Sequence, residues 1–166
     1  VRRLLPRHLT LRVSWVFGIH GHNFVKTMLQ LAREREEVRV VSDQFGCPTY
    51  AGDIADTLLN LVGRSTEIDA NDAWGTYHYC GTPVTTWHNF VSAIIEQAQT
   101  FEALRVQTIT AIATADYPTP AARPANSVLD SSRLSFCFGI LPRPWRDGLH
   151  ALLVALHADG SKRPAG

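Results

Sequence analysis

Two kinds of hydrophobic spacing take turns along this chain, and that alternation restricts its fold more than any other feature. Leu9, Leu11 and Val13 alternate with Thr10 and Arg12, the period of two of a half-buried strand. Ser14-Trp15-Val16-Phe17-Gly18 continues that segment into a loop with two glycines and two histidines. From Phe24 to Glu37 the period becomes helical. Phe24, Val25, Met28, Leu29 and Ala32 share one face, and Asn23 stands at the N-cap position. The charged run Arg33 to Glu37 then reads as a solvated helix end. Val38 to Val41 reads as a strand, and Asp53 opens a second helix, with Ile54, Ala55, Leu58, Leu59 and Val62 inward and Gly63 as its stop. Arg64 to Trp74 is a polar surface loop, and Thr76 to Cys80 is a strand with Tyr77 and Tyr79 on one face. Thr85 or Thr86 caps a third helix whose core face is Trp87, Phe90, Val91, Ile94, Ile95 and Ala98. Val106 to Ile112 is a further strand, and Ser127 to Leu134 holds a short strand and a helix start. Pro144 suits the first turn of a last helix, with Trp145, Leu149, Leu152, Leu153 and Leu156 inward. Parallel strands need crossover connections, so strands alternating with helices predict an α/β architecture with a largely parallel sheet.

The segment Ala113 to Asn126 carries Pro118, Pro120 and Pro124, a spacing no helix interior tolerates. The small, polar, Pro- and Gly-bearing end from Ala158 to Gly166 reads as a frayed, disordered tail, leaving 1–157 as the folded unit. The chain has 166 residues, 45% hydrophobic and 19% charged, which excludes a largely disordered protein. A formal net charge of +1 gives no basic footprint for nucleic acid. The apolar stretch around Leu149 to Leu156 is too short to cross a bilayer, so no membrane partner is expected. Cys47, Cys80 and Cys137 show no metal spacing and read as reduced thiols of a cytoplasmic protein. No signal peptide is expected at the start. Met28 is the single methionine, so the chain reads as part of something longer.

Chemistry is hard to find by motif. No Gly-rich dinucleotide turn, phosphate loop or nucleophile elbow is present. Only Lys26 and Lys162 are lysines, and neither has a tyrosine four residues before it. That excludes the phenol–ammonium pair that transfers protons on one helical face. His20 and His22, with no carboxylate or thiol nearby, make a weak metal site and read as plain loop.

Several segments nevertheless resemble one family. Ser14-Trp15-Val16-Phe17-Gly18 through Gly21-His22-Asn23-Phe24-Val25-Lys26-Thr27-Met28 is similar to the segment after the sixth strand of dTDP-4-dehydrorhamnose reductases. Asp43-Gln44-Phe45-Gly46-Cys47-Pro48-Thr49 matches their D-Q-x-G-x-P-T loop. Tyr77-His78-Tyr79 with Gly81, then Thr85-Thr86-Trp87, resembles the next strand and helix start. Tyr117-Pro118-Thr119-Pro120-Ala121-Ala122-Arg123-Pro124-Ala125-Asn126-Ser127 resembles the Y-P-T-P-A-x-R-P-x-N-S segment. Order and spacing agree from about Leu9 to about Leu153.

The resemblance implies the C-terminal part of a Rossmann-like extended short-chain dehydrogenase/reductase fold, with its smaller substrate-binding lobe. It implies an oxidoreductase that uses NADPH or NADH to reduce dTDP-6-deoxy-L-lyxo-4-hexulose to dTDP-L-rhamnose. The Gly-rich turn and the catalytic Tyr and Lys of such enzymes lie upstream of the matched region, so this chain alone is expected to be inactive. A non-catalytic sugar-nucleotide-binding or regulatory module of the same fold is the alternative. Trp15 corresponds to the tryptophan that packs on the deoxysugar; a core indole at a strand end is the other reading. Arg123 and Asn126 are candidates for the nucleotide end, since a guanidinium forks onto phosphate oxygens. Phe45, Cys47, Pro48 and Thr49 would wall the cleft, and Ser14, Phe17 and Gly18 would meet the nicotinamide end. Lys26 is a phosphate partner or, more simply, a solvated lysine. Some relatives bridge a dimer through Mg2+ and glutamates, but Gly52 stands where the Glu belongs, so no metal is expected. A half chain exposes a strand edge, which predicts self-association.

Overall fold

The first strand, β1 (Leu9–Val13), lies parallel to β6 (Gly75–Tyr79), with Leu9 opposite Gly75 and Val13 opposite Tyr79. These strands belong to a computed structural model that describes residues 3–65, 73–117, 121 and 123–160. The predicted tail from 161 and most of the 64–74 loop lie outside the described residues, as do Pro118, Thr119, Pro120 and Ala122. β6 alternates as its sequence demands: Tyr77 and Tyr79 are buried on one face. They pack with Leu134, Phe138, Leu61 and Ile54 from the helices α2 (Ala51–Ser65) and α4 (Ser132–Phe138).

The second lobe repeats the plan. β3 (Glu37–Val41) runs parallel to β8 (Thr108–Ile112). Val38 and Val40 face inward against α1 (Phe24–Glu34) and α3 (Trp87–Ala98), where Ala32, Val91 and Ile95 meet them. The other side of α3 presents Phe90, Ala93, Ile94 and Ala98 to α5 (Trp145–Gly160), which returns Trp145, Leu149, Leu152 and Leu153. α3 is apolar on both flanks because it is packed on both, so it ties the lobe together.

The remaining strands are short. β2 (Val16–Phe17) pairs parallel with β5 (Thr49–Tyr50), and β4 (Phe45–Gly46) pairs antiparallel with β7 (Thr85–Thr86). The pairing is therefore largely parallel, as expected, but among the described residues it forms four two-stranded ladders and no single sheet. The expected strand through Gly18 is broken at Trp15, whose φ is 47°, and its two parts join different ladders.

Several boundaries differ from the periodicity. α1 stops at Glu34 because Arg35 turns extended, and Glu37 already belongs to β3. The charged run is thus a helix–strand junction, not a simple solvated end. Arg33 forks Glu102 at 2.7 and 2.8 Å, Glu36 meets Arg105 at 2.9 Å, and Glu37 accepts the Thr110 hydroxyl at 2.5 Å. α2 runs through Gly63, which is not among the left-handed residues, so nothing there reverses the chain. Its packed stripe is the half-buried Ile54 and the buried Thr57 and Leu61; Ala55, Leu58, Leu59 and Val62, expected inward, are exposed, because the helix packs along one narrow face only. α5 runs to Gly160, so Ala158 to Gly160 are helix where a tail is predicted.

Candidate functional site

Ser14 and Trp15 separate β1 from β2, and the Asp43–Thr49 loop holds them there. The Thr49 N–H donates to the Trp15 carbonyl at 3.1 Å, and the Ser14 hydroxyl reaches the Cys47 carbonyl at 3.5 Å. A non-glycine residue in the left-handed region costs on the order of 1 kcal/mol, so the neighbours must over-determine it. Trp87 supplies the main contact: its ring lies 3.5 Å from that of Trp15 at an angle of 8°. Phe24 leans on Trp87 at 4.4 Å. Gly46 sits against the indole so closely that a Cβ would fall 2.3 Å from Trp15 Cε2 and 2.7 Å from Nε1. The glycine of the motif loop is therefore the space that the Trp15 indole fills.

The first two residues of that loop work on the other side. Gln44 is buried and donates Nε2 to the Thr114 hydroxyl at 3.1 Å. The Asp43 carboxylate accepts the Thr114 hydroxyl at 2.6 Å and the Thr114 N–H at 3.0 Å. Those bonds, the hydroxyl first, hold the Asp43 carboxyl below its usual range. They also anchor a 3-10 turn, Thr114–Asp116, directly ahead of Tyr117. Phe45 then pairs through its backbone with the far end of the proline segment: its N–H donates to Ala125 and its carbonyl accepts Ser127, both at 2.8 Å. One loop thus carries Trp15 and both ends of the proline segment.

A cavity of about 360 Å3 opens between these parts. Trp87, Phe24 and Tyr117 give it aromatic walls, Met28 an apolar one, and Arg39 and Arg123 two guanidinium groups. Val40, Val41 and Gln44 complete the lining, and Arg39 is the exposed residue of β3 between the buried Val38 and Val40. A second cavity, about 380 Å3, is lined by Phe17, Gly18, His20, His22, Tyr50 and Gly52.

The predicted site residues divide accordingly. Arg123 lines the first cavity, and Phe17 and Gly18 line the second. Phe17 is also core, set between Tyr50 and Phe90. Trp15 backs the first cavity through Trp87 and has one face covered by it. Ser14, Phe45, Pro48, Thr49 and Asn126 are not among the residues lining either cavity. Thr49 is buried, donating to the Cys47 carbonyl at 3.1 Å and accepting the Gly81 N–H at 3.2 Å. Pro48 is buried against Gly81. Asn126 turns its Oδ1 to the Val128 N–H at 2.9 Å. Lys26 is half-buried, and its ammonium donates to the carbonyls of Ile19 and Gly21, closing the histidine loop. Among the described residues no group of three His, Cys, Asp or Glu stands together as a metal site.

Two residues escape the sequence reading. Trp87 counts there as core; instead it is half-buried, because it is the first helical residue after Thr86, whose Oγ1 caps the Asn89 N–H at 3.2 Å. Its place at a strand-to-helix junction is the available signal, since α/β folds bind ligands beyond the carboxyl ends of strands. Arg39 is legible only as the polar residue of an alternating strand.

The elements and their order define an α/β domain of the extended short-chain dehydrogenase/reductase type. A family model described as the RmlD substrate binding domain matches residues 1–158, and the chain belongs to that family. It is 45% identical over 147 residues to a dTDP-4-dehydrorhamnose reductase of Aggregatibacter actinomycetemcomitans, covering 88% of this chain and 50% of that protein. The crystal structure of a dTDP-4-dehydrorhamnose reductase ortholog from Clostridium acetobutylicum matches with a TM-score of 0.82 at 30% identity, over 93% of this chain and 51% of that one. A Bacillus anthracis dTDP-4-dehydrorhamnose reductase in complex with NADP matches with a TM-score of 0.76 at 33% identity, over 89% of this chain and 48% of that one. The chain spans about half the length of the relatives it matches.

Proposed function

We propose that this chain is the sugar-nucleotide half of an NAD(P)H-dependent dTDP-4-dehydrorhamnose reductase, one that converts dTDP-6-deoxy-L-lyxo-4-hexulose to dTDP-L-rhamnose. The observation that carries this reading is the pairing of aromatic walls with two arginines in one cavity of about 360 Å3. Trp87 and Tyr117 offer flat faces for a thymine ring. Arg39 and Arg123 offer forked donors to a diphosphate. Trp15 braces Trp87 and turns its remaining indole surface toward the deoxysugar. Phe17 and Gly18 wall the nicotinamide end of NADPH or NADH, which supplies the hydride in such enzymes. The 166 residues contain no Gly-rich cofactor turn and no Tyr-x-x-x-Lys pair, so hydride transfer needs groups from elsewhere in the protein, and this chain alone turns over no substrate. No helix among the described residues is long and apolar enough to cross a membrane, and a cytoplasmic setting suits the nucleotide-sugar substrate.

Calorimetric titration with dTDP-L-rhamnose tests the reading. Wild type binds, and Arg123→Ala and Trp87→Ala each weaken binding about tenfold or more, as loss of a charged hydrogen bond of about 1.5–3 kcal/mol or of a stacking face implies. Equal affinity in all three proteins would overturn it. The isolated chain also self-associates in this reading, because Val16, Leu59, Val62 and Phe136 are exposed. Sizing chromatography with light scattering is expected to give a dimer or larger; a sharp monomer at high concentration rejects it.

A further inference from the structure

The chain has three free cysteines, and the fold brings two of them together. Cys47 lies in the motif loop and Cys80 directly follows β6; both are buried and line one cavity. The Cys80 thiol donates to the Leu129 carbonyl at 3.3 Å. The two segments are locked by backbone: Gly81 packs so tightly on the loop that a Cβ there would fall 2.2 Å from the Pro48 carbonyl oxygen. Both sulfurs line a cavity of about 240 Å3 whose rim includes the exposed Thr82, Val84 and Asp130, so a molecule the size of peroxide has a way in. The buried Ser131 hydroxyl lines the same cavity.

We propose that Cys47 and Cys80 form a redox-active dithiol that a peroxide closes to a disulfide. The shared cavity and the locked backbones carry the pairing, and each thiol perturbs the other: Cys47 is pushed up by Cys80 and by burial, and Cys80 is held below its usual range by Cys47. In the first step one of the two sulfurs takes one oxygen from hydrogen peroxide. The O–O bond breaks, and the other oxygen leaves as water with the thiol proton. In the second step the remaining sulfur attacks the oxidised one. The S–S bond forms, the S–O bond breaks, and a second water leaves. Two thiols lose two hydrogens and two electrons, and one peroxide becomes two waters. The bond ties the loop beneath Trp15 to the end of β6 and does not depend on what the neighbouring cavity binds.

The test exposes the native chain to hydrogen peroxide, alkylates the remaining thiols and maps the peptides. Alkylatable thiols are expected to fall from three to one, with Cys47 and Cys80 joined in one chain and dithiothreitol restoring all three. Cys137→Ser is expected to keep the same bond, and Cys47→Ser or Cys80→Ser to leave a sulfenic acid on the remaining thiol of the pair that dimedone traps. Three surviving thiols in the wild type, or a bond made through Cys137 or between chains, would overturn the proposal. The wild-type and Cys137→Ser maps decide this even if Cys47→Ser fails to fold.

Discussion

Gly46→Ala is expected to destabilise the chain by about 1–3 kcal/mol, the cost of forcing a methyl into a filled space, and to weaken dTDP-L-rhamnose binding with it. The three atoms nearest to a Cβ at this position all belong to one side chain, the Trp15 indole, at 2.3, 2.5 and 2.7 Å. Trp15 cannot retreat, because Trp87 lies 3.5 Å away on its face and the Trp15 backbone is held in a left-handed turn by Thr49. The collision is therefore between two named residues, and a double-mutant cycle isolates it. Trp15→Ala alone loses the stacked ring. Gly46→Ala in that background meets no indole and costs little more, so the two effects are strongly non-additive. Urea unfolding of the four proteins measures this. Additive losses would mean that Gly46 is needed for another reason.

Gly81→Ala is expected to be worse, about 3 kcal/mol or more, with the melting midpoint down by roughly 6–12 °C for a chain of this size. Here the nearest atom is backbone, the Pro48 carbonyl oxygen at 2.2 Å, and Trp145 Cβ stands 3.1 Å away on the other side. No single side-chain truncation opens room, so no second-site change of the Trp15 kind rescues it. The loop must move as a body. That movement breaks the Gly81 N–H bond to Thr49 and parts Cys80 from Cys47. Thermal unfolding gives the stability loss, and the peroxide-treated variant is expected to keep all three thiols alkylatable. A variant as stable as wild type would show that the two backbones are not held together.

Placed side by side, the two glycines show how far the chain can be read without its fold. The helices α1, α3 and α5 and the strands β1, β3 and β6 follow from hydrophobic spacing alone, because spacing dictates which face of a regular element is buried. The α/β class follows from their alternation. Asn23 and Thr86 read correctly as caps, since a cap is a local hydrogen bond within one turn. The motif loop is legible as something unusual, with a Gly and a Pro close together, and Arg123, a candidate for the nucleotide end, lines the aromatic cavity.

What the loop does is another matter. Asp43 and Gln44 are legible only as the opening of the motif, yet they hold Thr114, a residue about seventy positions away. Pro48 and Thr49 look like cleft walls and Asn126 like a nucleotide contact, yet Thr49 spends its hydroxyl on the chain's own backbone, Asn126 gives its Oδ1 to Val128 N–H and Pro48 packs against Gly81. Trp87 looks like core because its spacing on the helix is that of core, and only the left-handed turn at Trp15 gives it a partner at the cavity. Cys47 and Cys80 look like separate thiols. Sequence by itself determined the regular elements and the family, because those depend on local periodicity and on motif order. Tertiary structure alone decided which residues share a cavity, which glycines face a neighbour and which thiols meet, because such contacts join segments whose separation along the chain carries no period.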